Sequence, residues 1–215
     1  YPLYERLAAR PDAPTELLLD GNQRAGDSDF YNLGALEISP SNHWMACSED
    51  YVSRRQYQIR VRNLQTGDWL PDLVENTSGD VVWSADSAGF FYVRLDSETL
   101  LPYQVYYHTL GAESAQDRLV YEEADNTYYL HISHSRSEEY LLISLSSTMS
   151  TEVHLLPLKI PHSSPTLFLA RRRGHEYSLD HFQQQFYIRS NREGRNFALY
   201  LADDGAEQHW QALLP

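Results

Sequence analysis

A four-strand pattern recurs along this sequence at intervals of 45 to 49 residues, and it restricts the fold more tightly than anything else in the chain. In three copies an apolar strand ends in a small polar residue, at Ile38-Ser39, Trp83-Ser84 and Ile132-Ser133. A polar turn and a second strand follow: Trp44-Met45-Ala46-Cys47, Phe90-Phe91-Tyr92-Val93 and Tyr140-Leu141-Leu142-Ile143. A fourth, weaker copy starts at Tyr177-Ser178-Leu179-Asp180 and continues in Phe186-Tyr187-Ile188. Each copy then has a third strand (Tyr57 to Leu64, Tyr103 to Leu110, Glu152 to Leu158, Phe197 to Leu201) and a short fourth one. Four antiparallel strands per unit at this period are the signature of propeller blades. Jelly rolls and immunoglobulin sandwiches do not repeat in this way.

The local patterning agrees. Tyr57, Ile59 and Val61 alternate with Gln58, Arg60 and Arg62, which places one set on a buried face and the other on an open one, as in a strand and unlike a helix. Asn63 to Asp68 forms a turn around Gly67, and Trp69-Leu70-Pro71 predicts a short strand that ends at the proline. No amphipathic helix longer than two turns is evident. The expected fold class is therefore all-β: a β-propeller segment of about four four-stranded antiparallel blades plus a partial blade. Residues 1–35 supply the last strands of a truncated blade, Tyr1 to Tyr4 and Leu17 to Leu19, and residues 36–215 supply the four blades. Such an arc is expected to come from a larger ring, and its cut flanks are expected to favour self-association, because large apolar patches are rarely left to water.

Charge and motifs exclude several function classes. The formal net charge is −13, the wrong sign for neutralising phosphates or docking on anionic lipid, so neither nucleic acid nor membrane is expected as a partner. No run of about 18 apolar residues exists for a membrane span, and the first residues, YPLYERLAARPD, carry no apolar stretch of a secretory signal. The ten glycines include no pair at the spacing of G-x-S-x-G or of G-x-G-x-x-G, and no G-K-[ST] occurs. No catalytic residue is therefore assigned. Nine histidines show no metal-binding spacing; His131 and His134 lie an odd number of positions apart on a strand and point to opposite faces. No metal and no cofactor is expected. Cys47 is the only cysteine, which precludes an intrachain disulfide, and on an alternating strand it reads as a small core residue.

Charged connections remain as candidates for contact. Arg54 and Arg55 stand in the connection between a second and a third strand, and Arg171-Arg172-Arg173-Gly174-His175-Glu176 joins two blades; loops at one end of a propeller are where partners dock. The acidic run Glu122-Glu123-Ala124-Asp125 precedes an inner strand, where Glu122, Glu123 and Asp125 are candidates to charge a channel mouth.

Longer stretches carry a resemblance. Glu49-Asp50-Tyr51-Val52-Ser53-Arg54-Arg55-Gln56-Tyr57, ENTSGDVVWSADSAGFFYVRLDSETLLPYQVYYH (75–108), QDRLVYEEADNTYYL (116–130), LISLSSTMSTEVHLL (142–156) and RRRGHEYSLDHFQQQFYIRSNREGRNFALY (171–200) closely resemble the N-terminal propeller of the prolyl oligopeptidase family of serine peptidases, in its trypsin-like branch. The likeness runs from Tyr1 to Pro215. It implies a seven-bladed ring attached to an α/β-hydrolase domain of the same polypeptide, cleavage of short basic peptides after Lys or Arg, and a cytoplasmic location. The family's catalytic triad lies in the hydrolase part, to which no residue of this chain corresponds. Asp29 and Arg55 match places where the family's propeller faces its hydrolase domain, and Arg54 is a candidate as the residue adjacent to Arg55. Asp29 stands where a Glu is expected, and its shorter side chain has one methylene less of reach.

The resulting expectation is a non-catalytic propeller segment that gates access to a serine oligopeptidase by size. The alternative is a stand-alone propeller module that binds a protein partner.

Overall fold

The structure, a computed structural model, describes residues 1–10 and 12–214. It opens with an antiparallel hairpin of β1 (Leu3–Leu7) and β2 (Thr15–Asp20), followed by a single-turn helix α1 (Gly21–Ala25) that Asp20 caps through the N–H groups of Asn22 and Gln23. Blade 1 contains β3 (Asn32–Ile38), β4 (Trp44–Asp50), β5 (Tyr57–Asn63) and the first half of β6 (Trp69–Trp83). The second half of β6 is the inner strand of blade 2, beside β7 (Gly89–Leu95), β8 (Pro102–Thr109) and β9 (Arg118–Glu122). Blade 3 is β10 (Tyr129–His134), β11 (Tyr140–Ser146), β12 (Thr151–Pro157) and β13 (Thr166–Leu169). Blade 4 is β14 (Tyr177–Phe182), β15 (Gln185–Ser190), β16 (Ala198–Ala202) and β17 (Gln211–Leu214). All pairings are antiparallel between neighbours in sequence, so each blade is a meander.

The hydrophobic core is divided among the seams between successive blades. Leu18 and Leu19 of the hairpin meet Met45 and Cys47 of blade 1. Ala46, Ile59, Val61 and Val74 of blade 1 meet Val81, Trp83, Phe90 and Tyr92 of blade 2. Val82, Phe91, Val93, Val105 and Tyr107 then meet Leu130, Ile132, Leu141 and Ile143 of blade 3. Leu142, Val153, Leu155 and Phe168 meet Tyr177, Phe186, Ile188 and Tyr200 of blade 4. The alternation read from sequence explains this arrangement: each strand sends odd and even positions to opposite neighbours, as Trp83 and Val82 do.

Two local expectations are corrected. The strand starting at Trp69 does not end at Pro71 but runs 15 residues to Trp83. Pro71 sits on the outer edge of blade 1, exposed, where no ladder N–H is missed. Irregular pairing at Thr77/Val81 and positive φ at Asn76 and Gly79 then turn the same strand into the next blade. The second correction concerns register in blade 3. In blades 1 and 2 the serine closing the inner hairpin is Ser39 and Ser84, whose N–H groups donate to Trp44 and Gly89 carbonyls at 2.9 and 3.0 Å. The equivalent in blade 3 is Ser135, which donates to the Tyr140 carbonyl at 2.9 Å, and not Ser133, which pairs with Leu142 inside β10. Blade 4 replaces this device with a two-residue turn in which Gln183 and Gln184 both have positive φ.

Among the described residues no strand of one flank pairs with the other flank. Leu3, Leu7 and Leu17 are exposed on the N-terminal hairpin, and Leu167, Leu213 and Leu214 are exposed on the outer strands of blades 3 and 4.

Candidate functional site

In an antiparallel four-stranded blade, the connection between the second and third strands and the crossing from the outer strand to the next inner strand emerge at the same end. That geometry gathers Asp29, Arg54 and Arg55, the acidic run and Arg171 to Arg173 on one end of the arc, although they span most of the sequence.

Arg54 and Arg55 are exposed, and neither side chain forms an ion pair among the described residues. Their backbone is fixed from below. Asp50, buried at the end of β4, accepts the N–H of Val52 at 2.8 Å through Oδ1 and those of Arg54 and Arg55 at 3.1 and 2.8 Å through Oδ2. Three donors on one carboxylate hold a loop in which Ser53 and Arg55 both adopt left-handed φ. Asp29 is exposed in the crossing from the hairpin to blade 1 and makes no ion pair among the described residues.

That crossing is anchored by Glu49, whose side chain is fully buried. Arg24 of α1 donates to it in a bidentate fork, Nε to Oε1 at 2.7 Å and Nη2 to Oε2 at 2.5 Å. Tyr31 donates its hydroxyl to Oε1 at 3.1 Å, and the Arg24 guanidinium lies 4.3 Å from the centroid of the Trp69 ring. Burial, then the Glu49 charge, pushes the Tyr31 phenol up, so it remains a donor.

The acidic run divides into three roles. Glu122 ends the outer strand β9 and accepts from Gln104 at 2.5 Å. Glu123 turns inward and pairs with Arg171. Asp125 caps the turn into blade 3, accepting the Thr127 N–H at 3.0 Å and its hydroxyl at 2.7 Å. Asp96 and these acids line a groove of about 250 Å³.

Arg171 is the hub. Beside Glu123 it binds Glu152 through its backbone N–H at 3.0 Å and its Nη2 at 3.0 Å, and its guanidinium lies 3.9 Å from the centroid of the Tyr128 ring. Burial alone would raise the Glu152 carboxyl. Hydrogen bonds from Arg171 and His154 reverse that and hold it at about 2. Arg172 forks onto Glu207 at 2.6 and 2.8 Å, and Arg173 is exposed. Of the three arginines, Arg171 and Arg172 are tied down by acids 19 to 48 residues away, a spacing without any local signal.

Cys47 lies in the seam between hairpin and blade 1, where burial drives its thiol well above the ordinary range. Among the described residues no group of three or more His, Cys, Asp or Glu is disposed to hold a metal, and no helix is long and apolar enough to cross a membrane.

Residues 1–215 match the family described as prolyl oligopeptidase, N-terminal beta-propeller domain. The chain belongs to this family. Among curated relatives of this propeller family, dipeptidyl aminopeptidase BI of Pseudoxanthomonas mexicana is 40% identical over 207 residues, 95% of this chain and 28% of the relative. Protease 2 of Moraxella lacunata is 31% identical over 206 residues, 93% of this chain and 30% of the relative. The structure of oligopeptidase B from Leishmania major superposes with a TM-score of 0.91 at 27% identity, covering 99% of this chain and 31% of that one. The chain thus spans under a third of the length of the peptidases it matches, and it corresponds to their propeller region.

Proposed function

We propose that this chain is the size-selecting propeller segment of a serine oligopeptidase that cleaves short peptides after Lys or Arg in the cytoplasm. The end carrying Asp29, Arg54 and Arg55 docks on the α/β-hydrolase domain of the same polypeptide. The observation that carries this reading is the match of residues 1–215 to the prolyl oligopeptidase propeller, supported by the exposed arginines, held in place by Asp50 and free of ion pairs among the described residues, at one end of the arc. Gating is steric: a ring over an active site admits a flexible peptide and refuses a folded domain, whose radius of gyration is about 13 Å at 100 residues. The net charge of −13 favours approach of cationic peptides.

The test uses the full-length enzyme. Arg55→Ala is expected to lower kcat/KM for an Arg-containing chromogenic peptide, with the defect shrinking as salt rises, because a charge pair formed only in the closed state biases closure and is screened. Kinetics equal to wild type at low and high salt refute the docking role. The 40% identity to a dipeptidyl aminopeptidase favours a second reading, in which a free substrate N-terminus is required. Comparing N-terminally blocked and free peptides separates the two: blocked peptides are cleaved under the first reading and spared under the second.

A further inference from the structure

His108 sits between two carboxylates, Asp72 of blade 1 and Asp117 of its own blade. It lies on β8 of blade 2 and is fully buried. Its Nε2 is 3.0 Å from Asp72 Oδ1 on the outer strand of blade 1, and its Nδ1 is 2.8 Å from Asp117 Oδ1, in the connection that leads to β9. A neutral imidazole has one N–H and one lone pair, so it satisfies one carboxylate and turns a lone pair on the other. Only the imidazolium donates to both.

The remaining neighbours approach the two aspartates without pairing a cation directly with either. From β7, Tyr92 donates its hydroxyl to Asp117 Oδ2 at 2.9 Å, Arg94 donates to the Tyr92 oxygen at 2.9 Å, and the Phe90 ring packs 5.1 Å from the imidazole. From the turn after β8, the Gly111 N–H donates to Asp72 Oδ1 at 2.6 Å. Asp72 Oδ2 is buried with no hydrogen-bond partner, and among the described residues neither aspartate forms an ion pair with any other side chain.

We propose that His108 is a proton-operated latch on the seam between blades 1 and 2, closed when the imidazolium bridges Asp72 and Asp117 and released when the ring loses its proton. Asp117 and Gly111 lie in the connection between the third and fourth strands of blade 2, at the end of the arc opposite Arg54, Arg55 and the acidic run, so the latch sets how firmly the outer parts of blades 1 and 2 are held together at that end. The sign follows from the contacts. Burial acts to lower the His108 value, but the hydrogen bonds to Asp117 and Asp72 outweigh it and raise it. The latch is therefore intact below the ordinary histidine value of about 6.5 and opens as pH rises through the higher value in the fold.

The experiment follows the His108 Cε1–H resonance by NMR between pH 5 and 10, together with hydrogen exchange of the Gly111 amide. The reference is the Ser137 amide, which bridges blades 3 and 4 by donating to the His181 carbonyl. The expected result is a His108 midpoint above about 6.5 and, over the same interval, a loss of Gly111 protection of roughly tenfold relative to Ser137. The near-isosteric Asp117→Asn is expected to move both transitions to lower pH together. If that variant fails to fold, the paired wild-type curves still decide. A His108 midpoint at or below about 6.5, no titration in the range, or a titration that leaves the Gly111 to Ser137 ratio unchanged overturns the latch.

Discussion

Replacing Arg171 by Met removes a cation while keeping a stem of similar length over the Tyr128 ring. The side chains of Glu123 and Glu152 are 8% and 11% exposed, so without Arg171 two carboxylates remain close together with little water. Breaking a fully buried pair costs about 3–5 kcal/mol and an exposed one under about 1 kcal/mol. Arg171 itself is 25% exposed, which places this network between the limits, at about 2 kcal/mol. The pH dependence gives a second check. The Glu152 carboxyl is depressed in the fold to about 2, so its contribution is present above the unfolded value of about 4.5 and is lost as pH falls towards about 2. Urea unfolding of Arg171→Met against wild type is expected to show the full loss at pH 7 and a shrinking difference between pH 4.5 and 2. A double-mutant cycle with Glu152→Gln isolates the pair. A difference below about 0.5 kcal/mol at pH 7, the scale of ordinary surface changes, or one that does not shrink on acidification, refutes the assignment of Arg171 as the hub joining blades 2, 3 and 4.

Asp50→Ala frees three backbone donors and is expected to accelerate amide exchange at Val52, Arg54 and Arg55 while costing about 1–3 kcal/mol in chemical denaturation. Glu49→Gln breaks the fork to Arg24 and is expected to cost about 2 kcal/mol, read as a lower denaturation midpoint. Gly89→Ala places a Cβ 2.1 Å from the His108 carbonyl oxygen and 2.7 Å from the Tyr107 ring, so about 3 kcal/mol of overpacking is expected in the same assay. Sedimentation of the 215-residue chain is expected to show dimers or larger species at high concentration through the exposed leucines of its two flanks; a 24.9 kDa monomer throughout contradicts that.

The strands, their grouping in fours and the loops that carry Arg54, Arg55 and the acidic run are all legible in the sequence, because alternation with period two is a property of a single strand and a repeated unit repeats its pattern. Local pattern pointed to Ser133, which directly follows the apolar Ile132 in Ile132-Ser133-His134-Ser135; only the pairing of β10 with β11 selects Ser135. Nor did it show β6 passing through Pro71, because whether a missing N–H matters depends on which edge faces water. The buried charges were least visible. Arg24 finds Glu49 at a separation of 25 residues, His108 finds Asp72 at 36, and Arg171 finds Glu123 at 48. Each pair spans a seam or a crossing between blades. The residue types are written in the chain, but their desolvation and their partners exist only once neighbouring blades stack, since burial is what turns a charged side chain from a solvated group into one that must be paired.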